Sequence, residues 1–110
     1  MNTKSFEVTV ERLEHAMEFL ALTDIPAAQA RGKVKALEQY GKTVKAMGFL
    51  EASGTVAERE AKSLVTEEWK AHVKRLEEAV IEAETLENQR ASATGVKDVW
   101  RTLQANQRGV

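Results

Sequence analysis

The 110-residue sequence contains no cysteine and one proline, and its rings amount to two Trp, one Tyr and three Phe. Without cysteine there is no disulfide scaffold, no thiolate zinc site and no cysteine nucleophile. At 5% aromatic content the chain has too few rings to fill a sandwich or barrel, whereas its 30% of charged residues suits helices with solvated outer faces. Long hydrophobic runs are missing too. The most apolar stretch, Ala16 to Leu22, is interrupted by Glu18 and falls far short of the ~20 residues of a membrane span. The opening MNTKSFEVTVERLEHAM lacks the apolar region of a signal peptide, which points to the cytoplasm. With 16 Lys+Arg against 17 Asp+Glu, the formal charge of −1 excludes a uniformly basic nucleic-acid binder. The length supports one domain and no second independent core.

The apolar residues that are present repeat at helical spacing. Phe6, Val10, Leu13, Met17 and Leu20 step by three and four, predicting a helix over about 6–22 with this stripe inward. The β-branched run Val8, Thr9, Val10 weakens its start. At Thr23, Asp24, Ile25, Pro26 a restart is expected, with Asp24 as cap and Pro26 in the first turn of a helix over about 26–52. Its stripe is Ala30, Val34, Leu37, Gly41, Val44 and Met47. Gly32, Gly41 and Gly48 are costly inside a helix, so close helix packing is expected there, with a ligand approaching bare backbone as the alternative.

Gly54 suits a left-handed helix terminus, and Thr55, Val56, Ala57, Glu58 reads as a capping box, starting a helix over about 55–63. Thr66 followed by Glu67 and Glu68 starts a last helix over about 66–105. Trp69, Val73, Leu76, Val80 and Ala83 form its stripe; Leu86 shifts the phase, and Val96, Val99, Trp100 and Leu103 resume it beyond Gly95. A possible kink at residues 92–95 is anticipated. The expectation is thus an all-α fold of three to four helices, a helical hairpin plus a long C-terminal helix, elongated and oligomeric.

Charge is segregated. Net charge is −3 over residues 1–25, +3 over 26–54, −4 over 55–87 and +3 over 88–110. One reading is that acidic and basic helices pair and set register. The other is a phosphate-binding surface made by Lys33, Lys35, Lys42 and Lys45, or by Arg90, Lys97, Arg101 and Arg108 with Trp100 stacking an unpaired base. The same tryptophan at stripe spacing serves equally as a core or interface anchor.

Catalytic chemistry finds little to work with. His15 and His72 have no metal-ligand spacing, and the series Glu77, Glu78, Glu82, Glu84, Glu87 lacks the Glu-x-x-His pairs of a di-iron bundle. Phosphate loops and nucleophile elbows are missing as well. No enzyme activity, cofactor, metal or small-molecule substrate is expected.

The segments FLEASGTVAEREAKSL (Phe49 to Leu64) and VWRTLQANQRG (Val99 to Gly109) resemble small, largely uncharacterised all-helical proteins of tailed bacteriophages and prophages. The matching residues are Gly54, Thr55, Glu58, Arg59, Trp100, Arg101, Leu103, Asn106 and Arg108. Genes of that group often lie near recombination and single-strand DNA-handling genes, an association that carries no role to any one residue. The resemblance implies the bacterial host cytoplasm. Taken with the missing catalytic motifs and with a Trp100 and Leu103 stripe too apolar to stand in water on a long helix, the expectation is a non-catalytic helical homo-oligomer, accessory to DNA recombination or replication through a protein partner or single-stranded DNA. Arg90, Lys97, Trp100, Arg101 and Arg108 are the candidate contacts, and Gly54, Thr55, Glu58 and Arg59 the helix-corner motif. The alternatives are an inhibitor of a host defence or nucleic-acid-processing protein, acting through Glu77 to Glu87, and a purely structural oligomer.

Overall fold

A computed structural model describes residues 8–108. It is all-α, with three helices: α1 Val10–Glu51, α2 Val56–Ser63 and α3 Glu67–Arg108. Phe6, expected to open the first stripe, lies outside the described residues, as does the side chain of Arg108.

The first expected break is not there. α1 runs unbroken for 42 residues with Pro26 inside it. Proline there withholds one N–H, leaving the carbonyl of Leu22 without its helical donor. Leu22 is solvent-exposed, which puts this gap in the helical bonding on the water-facing side of α1 rather than in the packed seam. A break would also throw Thr23 and Ala27 out of phase with each other on the packed side. Asp24 is therefore mid-helix and caps nothing. The start is set by Thr9 instead, whose hydroxyl accepts from the N–H of Arg12 at 3.1 Å and whose carbonyl accepts from Leu13 at 2.9 Å.

The start of α1 at Val10 is four residues after the expected one; the other expected boundaries lie within a residue or two of the observed ones, except that α3 continues to Arg108. Gly54 has φ +116°, and Thr55 caps α2 by accepting from the N–H of Glu58 at 3.2 Å. Leu64, Val65 and Thr66 separate α2 from α3, which Thr66 caps by accepting from Trp69 N–H at 3.0 Å. α3 does not break at residues 92–95; Gly95 is inside a continuous helix.

The chain forms two compact units, one of residues up to Ala27 with those from Thr85 onward, the other Ala28–Glu84. In the Ala28–Glu84 unit, α1 and α3 run antiparallel. Gly48 lies against Ser63 and Thr66, Gly41 against His72, and Lys33 pairs with Glu82 at 3.9 Å. Its buried residues on the long helices are Ala30, Gly41, Val44, Gly48, His72, Ala79 and Ala83. The other unit packs the start of α1 against the end of α3, burying Ala16, Ala27 and Ala93.

These positions reveal a strict alternation of three and four. On α1 the buried and half-buried series is Leu13, Ala16, Leu20, Thr23, Ala27, Ala30, Val34, Leu37, Gly41, Val44, Gly48. On α3 it is Trp69, His72, Leu76, Ala79, Ala83, Leu86, Arg90, Ala93, Lys97, Trp100, Gln104. That is the heptad rhythm of a coiled-coil seam, whose fully buried positions are Ala or Gly apart from Val44 and His72. The phase differs from the expected one on both helices. Val10 and Met17 are exposed outside the seam, Gly48 takes the position expected for Met47, His72 and Ala79 take those expected for Val73 and Val80, Leu86 continues the phase, and beyond Gly95 the seam holds Lys97, Trp100 and Gln104 rather than Val96, Val99 and Leu103.

Candidate interaction surfaces

In the terminal unit, the sequence places Arg90 on the seam, seven residues after Ala83, where an apolar side chain is the norm. Its Nη1 donates to the carbonyl of Leu20 at 2.8 Å and to Thr23 Oγ1 at 2.7 Å, and its Nη2 lies 3.6 Å from Asp24 Oδ1. Thr23 in turn donates to the carbonyl of Phe19 at 2.6 Å. All acceptors stand in one turn of α1, immediately before Pro26. Arg90 is thus engaged within the unit rather than held out for phosphate.

The remaining predicted contacts do not form one surface with it. Lys97 and Trp100 occupy seam positions and are half-buried, while Arg101 is exposed beside the seam. Trp100 and Arg101 therefore stand on different sides of α3, although adjacent in sequence.

In the Ala28–Glu84 unit, the corner motif works as a clamp. The Glu58 carboxylate folds back over Gly54, occupying the place a side chain there would take. Arg59 donates from Nε to the carbonyl of Phe49 at 3.1 Å and stacks its guanidinium 4.2 Å from the Phe49 ring centroid. Lys62 donates to the carbonyl of Ser53 at 2.7 Å. These bonds satisfy carbonyls at and beyond the end of α1, which has no basic residue in its last turn. Ser63, buried, donates to the carbonyl of Glu60 at 2.6 Å. An open groove of about 510 Å³ lies beside this corner, lined by Lys42, Lys45, Phe49, Glu60, Ser63 and Leu64.

His72 is the feature the sequence concealed. It is buried on the seam of the same unit, opposite Gly41, with the Trp69 ring 5.5 Å and the Tyr40 ring 6.1 Å away. Lys45 stands 5.9 Å over the Trp69 ring. Nδ1 of His72 has no hydrogen-bond partner among the described residues. The signal was available: His72 is three residues after Trp69 and four before Leu76, and it lines up once small residues are counted as seam positions. Among the described residues no cluster of three or more His, Asp or Glu is placed to hold a metal ion, and no helix is long and apolar enough to cross a membrane.

Outside the seam, large apolar side chains remain in water. In the terminal unit Leu22 and Ile25 are 68% and 67% exposed on α1, and Val99 and Leu103 are 46% and 43% exposed on α3. The class these features define is an all-α protein of long, heptad-patterned helices with apolar surface left beside the packed seam. Comparison with family models, curated proteins and solved structures gives no match.

Proposed function

We propose that this chain is a non-catalytic helical interaction module that associates with itself and with a protein partner. The observation carrying this reading is the exposed apolar set Leu22, Ile25, Val99 and Leu103, which the chain's own helices leave uncovered. Large apolar side chains left exposed on both helices of one unit are the kind of surface that a partner chain can cover. In the phage setting that the resemblance at Phe49–Leu64 and Val99–Gly109 implies, such a module would be an accessory to recombination or replication in the bacterial cytoplasm. Sedimentation equilibrium of the full chain tests self-association, expecting a mass above the 12.2 kDa of one chain. A 12.2 kDa species at all concentrations would sink it.

Single-stranded DNA is the second reading, and exposed Arg101 is what favours it. It is the weaker one because Arg90 is spent on Leu20, Thr23 and Asp24 and Lys97 is half-buried. Fluorescence polarisation with a labelled oligonucleotide at two salt concentrations decides. Binding that weakens steeply with salt and disappears in Arg101→Ala supports DNA contact, and no binding at low salt removes it.

A further inference from the structure

The acids and bases of the Ala28–Glu84 unit are not matched along its whole length. Its part of α1 carries five bases, Arg31, Lys33, Lys35, Lys42 and Lys45. Lys33 pairs with Glu82 at 3.9 Å, and Arg31 and Lys35 share a groove with Glu84. Lys42 and Lys45 have no such neighbour on α3. The antiparallel register, set by Gly41 opposite His72, brings Trp69, Lys70 and Val73 alongside them, and none of these is an acid. Among the described residues no carboxylate lies within ion-pair distance of either lysine, Glu38 one turn before Lys42 included.

These two unmatched charges border the open groove of about 510 Å³ at the corner. Lys42 and Lys45 are three residues apart and exposed, so they stand on one side of α1, and Phe49, one turn further on, continues that wall. The other wall is formed by Glu60, Ser63 and Leu64. Ser63 is buried and its hydroxyl proton is committed to the Glu60 carbonyl at 2.6 Å. Leu64 is 44% exposed, and Val56, one turn before Glu60 on α2, is 63% exposed. The groove thus combines exposed apolar side chains with two ammonium groups on one side and a single carboxylate, that of Glu60, on the other.

We infer that this groove receives a segment of a protein partner in which an apolar side chain is flanked by Asp or Glu. The apolar side chain covers Phe49 and Leu64, and the carboxylates meet Lys42 and Lys45. Charge complementarity selects this occupant, because the lysines are the charges that the chain leaves unmatched, and such charges set orientation and encounter rate while apolar burial supplies affinity.

A single nucleic-acid strand, the other polyanion, fits less well on two counts. Unpaired bases stack on bare rings. Here the half-buried Phe49 ring already carries the Arg59 guanidinium at 4.2 Å, and the Trp69 ring carries Lys45 at 5.9 Å. A strand also brings a phosphate with every nucleotide, and Glu60 repels it. A peptide places a neutral or basic residue at that point instead.

This deepens the protein-partner half of the proposed function and rests on it. The test pans a displayed library of random linear peptides on the full wild-type chain and measures the selected peptides by fluorescence polarisation. Selected peptides are expected to join an apolar residue to Asp or Glu and to bind more weakly as salt rises. Affinity is expected to fall roughly tenfold or more in the double variant Lys42→Glu with Lys45→Glu, and also in Leu64→Ser. Lys74→Glu, exposed on α3 outside the groove, is expected to bind like wild type. Circular dichroism separates a lost site from a lost fold, and the milder pair Lys42→Gln with Lys45→Gln, which keeps helix propensity, is expected to weaken binding in the same direction. Selected peptides without acids, or a library that yields no binder, overturn the inference. Peptides that bind the double variant as well as wild type overturn this groove alone and leave a protein partner standing elsewhere. An oligothymidylate that binds wild type and not the double variant reassigns the groove to nucleic acid, and a chain mass that falls in the double variant reassigns it to a second copy; either result overturns the inference. Self-association is read separately, from the mass of the wild-type chain.

Discussion

Arg90 donates to Thr23 at 2.7 Å across the seam of the terminal unit, and the same guanidinium nitrogen reaches the Leu20 carbonyl at 2.8 Å. Its side chain is 22% exposed, whereas that of Asp24, 3.6 Å from Nη2, is 78% exposed. The two contacts should therefore weigh differently. Arg90→Ala removes charge-assisted hydrogen bonds from a partly buried site and should cost about 2 kcal/mol. Asp24→Asn removes an exposed ion pair and should cost less than about 0.5 kcal/mol. Arg90→Lys should recover only part of the loss, because an ammonium lacks the planar fork that reaches two acceptors. Urea unfolding of the three variants checks the order; equal losses in Arg90→Ala and Asp24→Asn would show that the ion pair dominates.

Much of the fold was legible because its signals are local. The capping threonines Thr55 and Thr66 and the positive φ of Gly54 follow from residue chemistry within one turn, and all three are where spacing put them. The seam was harder. Sequence patterning gives weight to large apolar residues, so Met17, Met47 and Val73 attracted the inward face, although packing buries Ala16, Gly48 and His72 instead. Close helix approach works against that weighting at these three positions: a small or polar side chain takes the seam, and the larger apolar neighbour is left outside it. Arg90 was read as a surface cation for the same reason. Its bonds to Leu20 and Thr23 span about seventy residues, a relationship that no local pattern contains.

The Gly41 and His72 contact makes a double-mutant prediction. A Cβ on Gly41 would stand 2.6 Å from His72 Nε2. Gly41→Ala should destabilise by about 1–3 kcal/mol through overpacking, despite the better helix propensity of alanine. His72→Ala in the same chain should relieve that cost, giving a clear coupling energy in a thermal-denaturation cycle. Gly32→Ala is the control. Nothing lies within 4 Å of its Cβ position, so this variant should be stabilised, by up to about 1 kcal/mol.

At the corner, Thr55→Ala should cost about 1 kcal/mol, since it leaves the N–H of Glu58 without its acceptor. Gly54→Ala should cost at least as much, about 1–3 kcal/mol, because φ +116° strains any side chain and the Glu58 carboxylate already occupies its place. An Arg59→Ala variant releases the Phe49 carbonyl and ring together. Amide hydrogen exchange in α2 should rise in all three, while amides near Arg90 should be unaffected. Uniform exchange throughout the chain would show that the corner does not behave as a local clamp.

Pro26 separates the two descriptions of α1 most sharply. Were it the first turn of a new helix, as the Asp24-to-Pro26 pattern implies, proline would be favoured there and Pro26→Ala would be neutral or harmful. In the continuous helix Val10–Glu51, the same residue withholds a donor from the Leu22 carbonyl in mid-helix. Its ring is exposed, so the packing that alanine would forfeit is small. Pro26→Ala should then stabilise the chain by about 1–3 kcal/mol, up to the full interior-proline penalty. For a domain of this size that is a rise in Tm of roughly 5–15 °C, read from the ellipticity at 222 nm. An unchanged or lowered Tm would place a helix boundary at Pro26 after all.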